Sequence, residues 1–169
     1  MAKSTTIIVA SALCFLSFLG SANGVERFFV EGTVYCDTCR TQFLTRVSEF
    51  MQGATVRVEC KETEGSQNVT FSKEATTDAK GSYKVEVDGD HEEETCEVVL
   101  VKSPREDCSE VDKESYLAQA AMISITKNNG ITSPIRNANP LGFLKKERLS
   151  VCKDVLKELG LSEDGNELD

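Results

Sequence analysis

The chain has 169 residues, the length of one ordinary domain, and its 19 Lys and Arg against 28 Asp and Glu give a formal net charge of −9. This acidic balance argues against a general nucleic-acid-binding protein, because binding to phosphates needs a basic face. Hydrophobic residues make up 40% and charged residues 28%, which excludes a disordered chain, and a single histidine, His91, excludes histidine-rich metal sites.

Residues 1–24 have the pattern of a secretory signal peptide. Lys3 is the single charge before an apolar stretch at residues 6–19, and small residues follow up to Gly24. The apolar stretch is shorter than the roughly 20 residues that a membrane-spanning helix needs, so a membrane anchor is the weaker alternative. We therefore expect a secreted, extracellular protein without membrane insertion, cleaved after Gly24 or after Ala22.

Alternation of apolar and polar residues predicts short β-strands along most of the remaining chain. The clearest strand is residues 54–61, in which Val56, Val58 and Cys60 share one face. The other candidates are residues 28–36, 70–76, 82–87, 95–101, 121–126 and 131–135. Seven short strands separated by turns predict an all-β fold, a seven-stranded antiparallel β-sandwich or open barrel.

Turns and short helices are predicted between and after these strands. Residues 78–81 predict a β-hairpin with Gly81 at positive φ, and residues 128–130 predict a second turn. Residues 40–51 predict either a short helix or an ordered loop, and residues 149–159 predict a short helix. We expect the folded domain to span residues 25–161 and the acidic segment 162–169 to form a mobile tail.

Asn68-Val69-Thr70 is the one N-glycosylation sequon of the chain. It lies where a polar loop enters the strand at residues 70–76, so the glycosylating enzyme can reach it. In a secreted protein we expect Asn68 to carry a glycan.

Six cysteines remain once Cys14 leaves with the signal peptide, and an even number in an oxidising compartment indicates disulfides. They are Cys36, Cys39, Cys60, Cys96, Cys108 and Cys152. Cys60 and Cys96 each continue the buried face of a strand, so a bond between them would lie inside the core. Cys36 and Cys39 are an odd number of residues apart at a strand end, which favours different partners. Spacing alone leaves those partners undecided.

Cys36-Asp-Thr-Cys39 is a CxxC motif, which in oxidoreductases performs thiol–disulfide exchange. There the motif normally opens a helix of an α/β fold, whereas here it ends a strand of an all-β chain. We therefore interpret both cysteines as structural half-cystines. An oxidoreductase would depend on this motif alone, and a zinc site lacks a second close cysteine pair.

Three other features offer chemistry, and each has a simpler structural interpretation. The acidic segment 86–94 around His91 could bind calcium weakly, but its spacing does not match an EF-hand loop. The basic residues Lys145, Lys146 and Arg148 are interpreted as a solvated surface and not as a phosphate site. Gly-rich phosphate loops, GxSxG and HExxH are absent from the sequence, so we predict no catalytic, cofactor-binding or metal-binding residue.

The segment EGTVYCDTCR at residues 31–40 resembles the signature of the olive major pollen allergen family, which are secreted plant glycoproteins. Residues 77–83, 100–104 and 137–143 fit that family as well, as do the six cysteine positions, and the resemblance covers residues 25–160. It implies a seven-stranded β-sandwich or open barrel without enzyme activity. It also implies three disulfides, Cys36–Cys108, Cys39–Cys152 and Cys60–Cys96.

The same resemblance implies a role in pollen hydration, germination or tube growth, and an allergen bound by IgE of sensitised humans. We expect the protein to bind another extracellular or cell-surface protein through loops on a rigid scaffold. Two alternatives are a carrier of a small apolar ligand and an inhibitor of extracellular hydrolases.

Overall fold

The structure is a computed structural model that describes residues 27–112, 120–123 and 133–161. The described residues form ten β-strands and one α-helix. The elements are β1 (Arg27–Asp37), β2 (Glu49–Phe50), β3 (Thr55–Lys61), β4 (Val69–Thr76), β5 (Ser82–Asp88), β6 (Thr95–Lys102), β7 (Cys108–Glu110), β8 (Ala120–Ile123), β9 (Ile135–Asn137), β10 (Leu141–Lys145) and α1 (Cys152–Glu158). The predicted all-β class is confirmed. The predicted signal peptide, the turn at residues 128–130 and the tail at residues 162–169 lie outside the described residues.

The strands form two sheets, and β1 is the central strand of the larger one. Its first half pairs with β5 and β9, its second half pairs with β2 and β10, and β7 pairs with β10. The smaller sheet is antiparallel, with the strand order β4-β3-β6-β8. Because β9 and β10 run parallel to β1, the prediction of an entirely antiparallel sandwich is wrong. With 11 residues, β1 is long enough to pair with two different strands along the same edge.

Sequence alternation located the long strands and missed the short ones. The predicted strands at residues 54–61, 70–76, 82–87 and 95–101 agree with β3, β4, β5 and β6 to within one residue at each end. Two elements absent from the prediction, β2 and β7, have only two and three residues, too few to show alternation. The third, β10, buries residues on both faces and so does not alternate. These additions correct the predicted number of seven strands.

The turn at residues 78–81 does not form the predicted β-hairpin. Asp78 Oδ1 accepts hydrogen bonds from the backbone N–H groups of Lys80 at 2.8 Å and Ser82 at 2.9 Å, and Gly81 has φ +75° as expected. However, β4 pairs with β3 in the smaller sheet, whereas β5 pairs with β1 in the larger one. The turn therefore connects the two sheets at an edge of the sandwich.

The core lies between the inner faces of the two sheets. It is formed largely by β-branched residues that alternate with outward-facing polar ones, as a two-layer sandwich requires. Fully buried members are Val30, Val34, Val56, Val58, Val87 and Val98. Two glycines allow tyrosine rings to cross β1 and β10: a Cβ atom on Gly32 would come within 2.2 Å of Tyr83 Oη, and one on Gly142 within 2.7 Å of Tyr35 Cζ. Larger residues would not fit at these two positions.

Residues 40–51 form an ordered loop that ends in β2, so the helical alternative for this segment is wrong. The helix predicted at residues 149–159 is present as α1, which buries Cys152, Val155 and Leu156. In the part of the chain that the structure describes, no helix combines the length and the apolar composition that crossing a membrane requires.

Candidate functional site

The loop that follows β1, residues 38–48, is here called the signature loop, and two disulfides anchor its start. Cys36 is bonded to Cys108 of β7 and Cys39 to Cys152 of α1, with Cα–Cα distances of 5.9 and 5.4 Å. All four cysteines are buried. Because the two cysteines of the CxxC motif have different partners, this motif contains no internal disulfide for exchange chemistry.

The third disulfide joins Cys60 to Cys96, which face each other on β3 and β6 with a Cα–Cα distance of 4.0 Å. It lies in the core, as the alternation of apolar and polar residues in these two strands predicts. The three pairs are those implied by the family resemblance.

Asp37, the residue after Cys36, fixes the conformation of the signature loop. Its side chain is fully buried, and its carboxylate accepts hydrogen bonds from the backbone N–H of Cys39 at 3.2 Å and of Gln42 at 2.6 Å. Burial raises the pKa of Asp37, and the backbone hydrogen bonds act against that rise. Arg40 and Gln42 have φ of 58° and 65°, which non-glycine residues seldom adopt. The buried carboxylate of Asp37 thus fixes the backbone of this turn in one conformation.

Side chains of the signature loop tie it to distant parts of the chain. Arg40 Nη1 donates to Glu110 Oε2 at 2.6 Å and to the backbone oxygen of Lys145 at 2.7 Å. Arg46 donates to both carboxylate oxygens of Glu158 at 2.9 and 3.0 Å, which links the loop to α1. Such bidentate pairs add geometric restraint even where they are exposed. The loop is therefore held along its length and not only at the disulfides.

Two large apolar side chains of this restrained loop face solvent. Phe43 is 40% exposed and Leu44 is 41% exposed. The chain then turns at Thr45 and Ser48, where Thr45 N–H donates to Ser48 Oγ at 2.9 Å. Exposed apolar residues on a fixed loop are typical of a surface that contacts another protein. The signature loop is for this reason the candidate functional site.

Asn68, the predicted glycosylation residue, is exposed just before β4. Its Nδ2 donates to Glu62 Oε1 at 2.8 Å, and Thr70 of the same sequon donates to the backbone oxygen of Cys60 at 3.0 Å. The amide nitrogen that a glycan would modify therefore lies at the protein surface.

His91 is buried and forms part of the sandwich end. Its Nδ1 lies 2.7 Å from Glu94 Oε2 and its Nε2 lies 3.1 Å from the backbone oxygen of Asp88. Cys60 Sγ, His91 and Glu94 come within 4.8 Å of one another, but this sulfur is bonded to Cys96 and offers no thiolate to a metal ion. The arrangement supports a structural role for His91.

One member of the predicted basic cluster, Lys145, forms an ion pair. Lys145 Nζ contacts Asp107 Oδ2, and Arg105 Nη2 lies 2.8 Å from the same oxygen. Hydrogen bonds from Arg105 and then Lys145 hold the pKa of Asp107 well below its usual range. Sequence reasoning missed the contact between Arg105 and Glu49, because these residues are 56 positions apart. It also missed Asp37, although an Asp at the end of a strand is a known turn signal.

Comparison with known proteins gives consistent similarities over both the sheets and the signature loop. The family described as "Pollen protein Ole e 1 like" matches residues 26–160. The chain is 56% identical over 164 residues to "Olee1-like protein" of Betula pendula, covering 97% of this chain and 98% of that protein. It is 52% identical over 164 residues to "Pollen allergen Che a 1" of Chenopodium album, covering 95% and 96%. The crystal structure of the major plantain pollen allergen Pla l 1 is similar with a TM-score of 0.64 and 38% identity, covering 73% of this chain and 98% of that one.

Proposed function

This chain belongs to the Pollen protein Ole e 1 like family, and from that membership we propose that it is a secreted, non-enzymatic pollen glycoprotein that binds another extracellular or cell-surface protein. The similar proteins are named as pollen allergens, which identifies the chain as a pollen allergen-like protein. Within that class we propose a role in pollen hydration, germination or tube growth, and recognition by IgE in sensitised humans.

The observation that carries the binding role is the rigid presentation of Phe43 and Leu44. Binding through a flexible loop costs free energy, because the loop must be ordered when the complex forms. In the signature loop the disulfide at Cys39 and the carboxylate of Asp37 order the backbone in advance. The two apolar side chains can therefore be buried by a partner with little further ordering.

The site is tested with the wild-type secreted protein and two variants, each used as bait in extracts of germinating pollen and of stigma. F43S/L44S removes the apolar contact surface. V101S removes a similarly exposed apolar residue from β6 of the smaller sheet. We expect wild type and V101S to capture the same partner, and F43S/L44S to capture at least about tenfold less, the loss typical of a central apolar contact. Circular dichroism checks that all three fold.

Equal capture by F43S/L44S would place the binding site elsewhere. Co-purification of an apolar small molecule, or inhibition of an extracellular hydrolase, would support the carrier and the inhibitor respectively. Either of the last two results would replace the proposed function.

We propose further that residues 1–24 are removed as a signal peptide and that Asn68 carries an N-glycan. The three disulfides support passage through an oxidising compartment. N-terminal sequencing of protein secreted by plant cells should give a start near Val25. Treatment with an N-glycosidase should lower the mass of the wild type and leave N68Q unchanged. A retained Met1, or an unchanged mass for the wild type, would contradict these assignments.

A further inference from the structure

The hydroxyl group of Thr70, the third residue of the sequon at residues 68–70, is occupied in the folded protein. Its Oγ1 donates to the backbone oxygen of Cys60 at 3.0 Å and lies 2.5 Å from Glu94 Oε2. The sequon requires a hydroxyl at this position, which indicates that the glycosylating enzyme itself binds this group. In the folded protein the enzyme would therefore compete with two acceptors for one hydroxyl hydrogen.

The rest of the sequon is held by the folded chain as well. Val69 pairs with Lys61 in the ladder between β4 and β3. Asn68 Nδ2, the atom that receives the sugar, donates to Glu62 Oε1 at 2.8 Å, and Asn68 N–H donates to Ser66 Oγ at 3.1 Å. The backbone and side chains that an enzyme must surround are thus fixed against β3 and the loop before β4.

The groups that hold Thr70 are synthesised at different times. Cys60 belongs to β3, which precedes the sequon, whereas Glu94 lies 24 residues after Thr70 and immediately before β6. The strand β6 pairs with the other edge of β3, and the disulfide between Cys60 and Cys96 joins these two strands. A two-stranded hairpin such as β3–β4 is only marginally stable alone, so the sequon becomes fixed when β6 joins β3.

The time between these stages is short. A ribosome adds about 5–20 residues per second, so the 24 residues from Thr70 to Glu94 take about 1–5 s to synthesise. Within this time the Thr70 hydroxyl has not yet met Glu94. Glycosylation therefore competes with the pairing of β6, and a chain that folds first keeps an unmodified Asn68.

We propose that Asn68 is glycosylated only before β6 joins β3, so that folding closes this modification site and limits the fraction of chains that carry the glycan. This timing rests on the N-glycan proposed above for Asn68. In the step itself, Asn68 Nδ2 forms a bond to C1 of the first sugar of a lipid diphosphate-linked oligosaccharide and loses one proton. The bond from C1 to the diphosphate breaks, and the lipid diphosphate leaves with the bonding electrons.

Access of the enzyme to the folded sequon is measured with two states of the chain from Val25 onward. Protein made in bacteria carries no glycan, and it is supplied either oxidised and folded or reduced, alkylated and unfolded. Each form is incubated with solubilised plant microsomes and a lipid diphosphate-linked oligosaccharide, and its gain in mass is followed over time. We expect the folded form to react at least about tenfold more slowly, because Thr70 must first leave a charged acceptor.

Folded variants test whether Glu94 limits this reaction. E94A removes one acceptor of the Thr70 hydroxyl, and we expect it to react faster than the folded wild type. E64A changes an exposed acid in the loop before β4, so it is the matched control and should react as the folded wild type does.

Competition with folding is measured in plant cells as the ratio of glycosylated to unmodified peptide containing residue 68. C60A/C96A removes the bond that joins β6 to β3, and we expect a higher glycosylated fraction than in the wild type. C36A/C108A removes a disulfide of the larger sheet and is the control, whose fraction should match the wild type. If C60A/C96A is not secreted, the comparison of E94A with wild type in the microsome reaction decides the question.

Three outcomes would overturn the proposed timing and leave the glycan itself in place. They are equal reaction rates of the folded and unfolded wild type, a wild type that is glycosylated on every chain, and a fraction in C36A/C108A raised as much as in C60A/C96A. An unfolded chain that gains no mass would contradict the glycan at Asn68 and its timing together.

Discussion

Asp37 determines the conformation of the signature loop because both of its carboxylate oxygens accept hydrogen bonds from the loop backbone. An ionised carboxylate is an acceptor only, and both oxygens of Asp37 receive backbone N–H groups, those of Cys39 and Gln42. Arg40 and Gln42 adopt left-handed backbone conformations that cost about 1 kcal/mol or more each. The hydrogen bonds to Asp37 offset this cost, and they therefore hold Phe43 and Leu44 where a partner can contact them.

D37N should destabilise the protein and alter its pH dependence. An asparagine side chain replaces one acceptor oxygen with an NH₂ donor facing a backbone N–H, so we expect the free energy of unfolding at neutral pH to fall by about 1–3 kcal/mol. Burial raises the pKa of Asp37 above its ordinary 3.8, and the native state thus binds the proton more tightly than the unfolded state. Wild-type stability from this group falls as pH rises through the interval between those two pKa values, and D37N should lack that fall.

Urea unfolding at several pH values measures both effects of D37N. D154N, which changes an exposed acid on α1, is the matched control and should stay within about 0.5 kcal/mol of wild type. A D37N protein as stable as D154N would show that the carboxylate does not hold the loop.

The connection between β5 and β6 closes one end of the sandwich. His91 packs edge-on against Phe28 of the larger sheet, with ring centres 6.4 Å apart, and against Phe71 of the smaller sheet at 5.5 Å. Glu94 holds the ring through Nδ1 and also accepts a hydrogen bond from Thr70 at 2.5 Å. Side-chain contacts of this loop therefore link the two sheets, between which the described strands form no backbone pairing.

E94Q should make the protein less sensitive to acid. Burial alone would raise the pKa of Glu94, but hydrogen bonds from Thr70 and His91 outweigh it and lower the pKa below its ordinary 4.5. A lowered pKa means stability that is present above the unfolded value and is lost as pH falls through the folded value. Below about pH 4.5 the wild type should lose stability more steeply than E94Q.

The check is thermal unfolding of wild type, E94Q and the control E64Q, an exposed loop residue, from neutral pH down to about pH 3. The slopes of wild type and E64Q should agree, and that of E94Q should be shallower. Identical slopes for all three would show that Glu94 does not contribute to acid unfolding.

Elements that depend on local alternation could be predicted from the sequence, and those that depend on distant partners could not. The strands β3 to β6 alternate over seven or eight residues each, so their periodicity was visible. The pairing of β1 with β9 and β10 joins segments about a hundred residues apart, and nothing local marks it as parallel. The residues at 78–81 correctly predicted a turn. Tertiary contacts, however, determine which sheet each flanking strand joins.

The candidate site, likewise, could be predicted from the sequence only in part. Cysteine positions and a family signature pointed to the anchors of the signature loop, whereas the burial of Asp37 and the exposure of Phe43 follow from packing. Arg136 gave no sequence signal, because a single arginine beside Ile135 looks like an ordinary surface residue. Its register with Val30 and its burial show that it faces the core.

For the whole molecule, the three disulfides differ in how much of the chain they constrain. Cys39 and Cys152 are 113 residues apart and connect the signature loop to α1. Cys60 and Cys96 are 36 residues apart and connect neighbouring strands that backbone hydrogen bonds already hold in register. Without the Cys36–Cys108 bond, which shortens the loop between Cys39 and Cys152, the first bond therefore excludes many more conformations of the unfolded chain than the second.

Removing the long-range disulfide should cost more than removing the short-range one. All four cysteines are almost fully buried, so C39A/C152A and C60A/C96A create comparable cavities, and the difference between the variants isolates the loop-closure term. Measured by urea unfolding in a C36A/C108A background, where that bond no longer shortens the loop, the term gives about 1 kcal/mol more destabilisation for C39A/C152A. Partner capture should separate the variants further, because only C39A/C152A removes an anchor of the signature loop. If C60A/C96A is the less stable variant, or captures the partner as poorly as C39A/C152A, the disulfide at Cys39 is not what orders the binding surface.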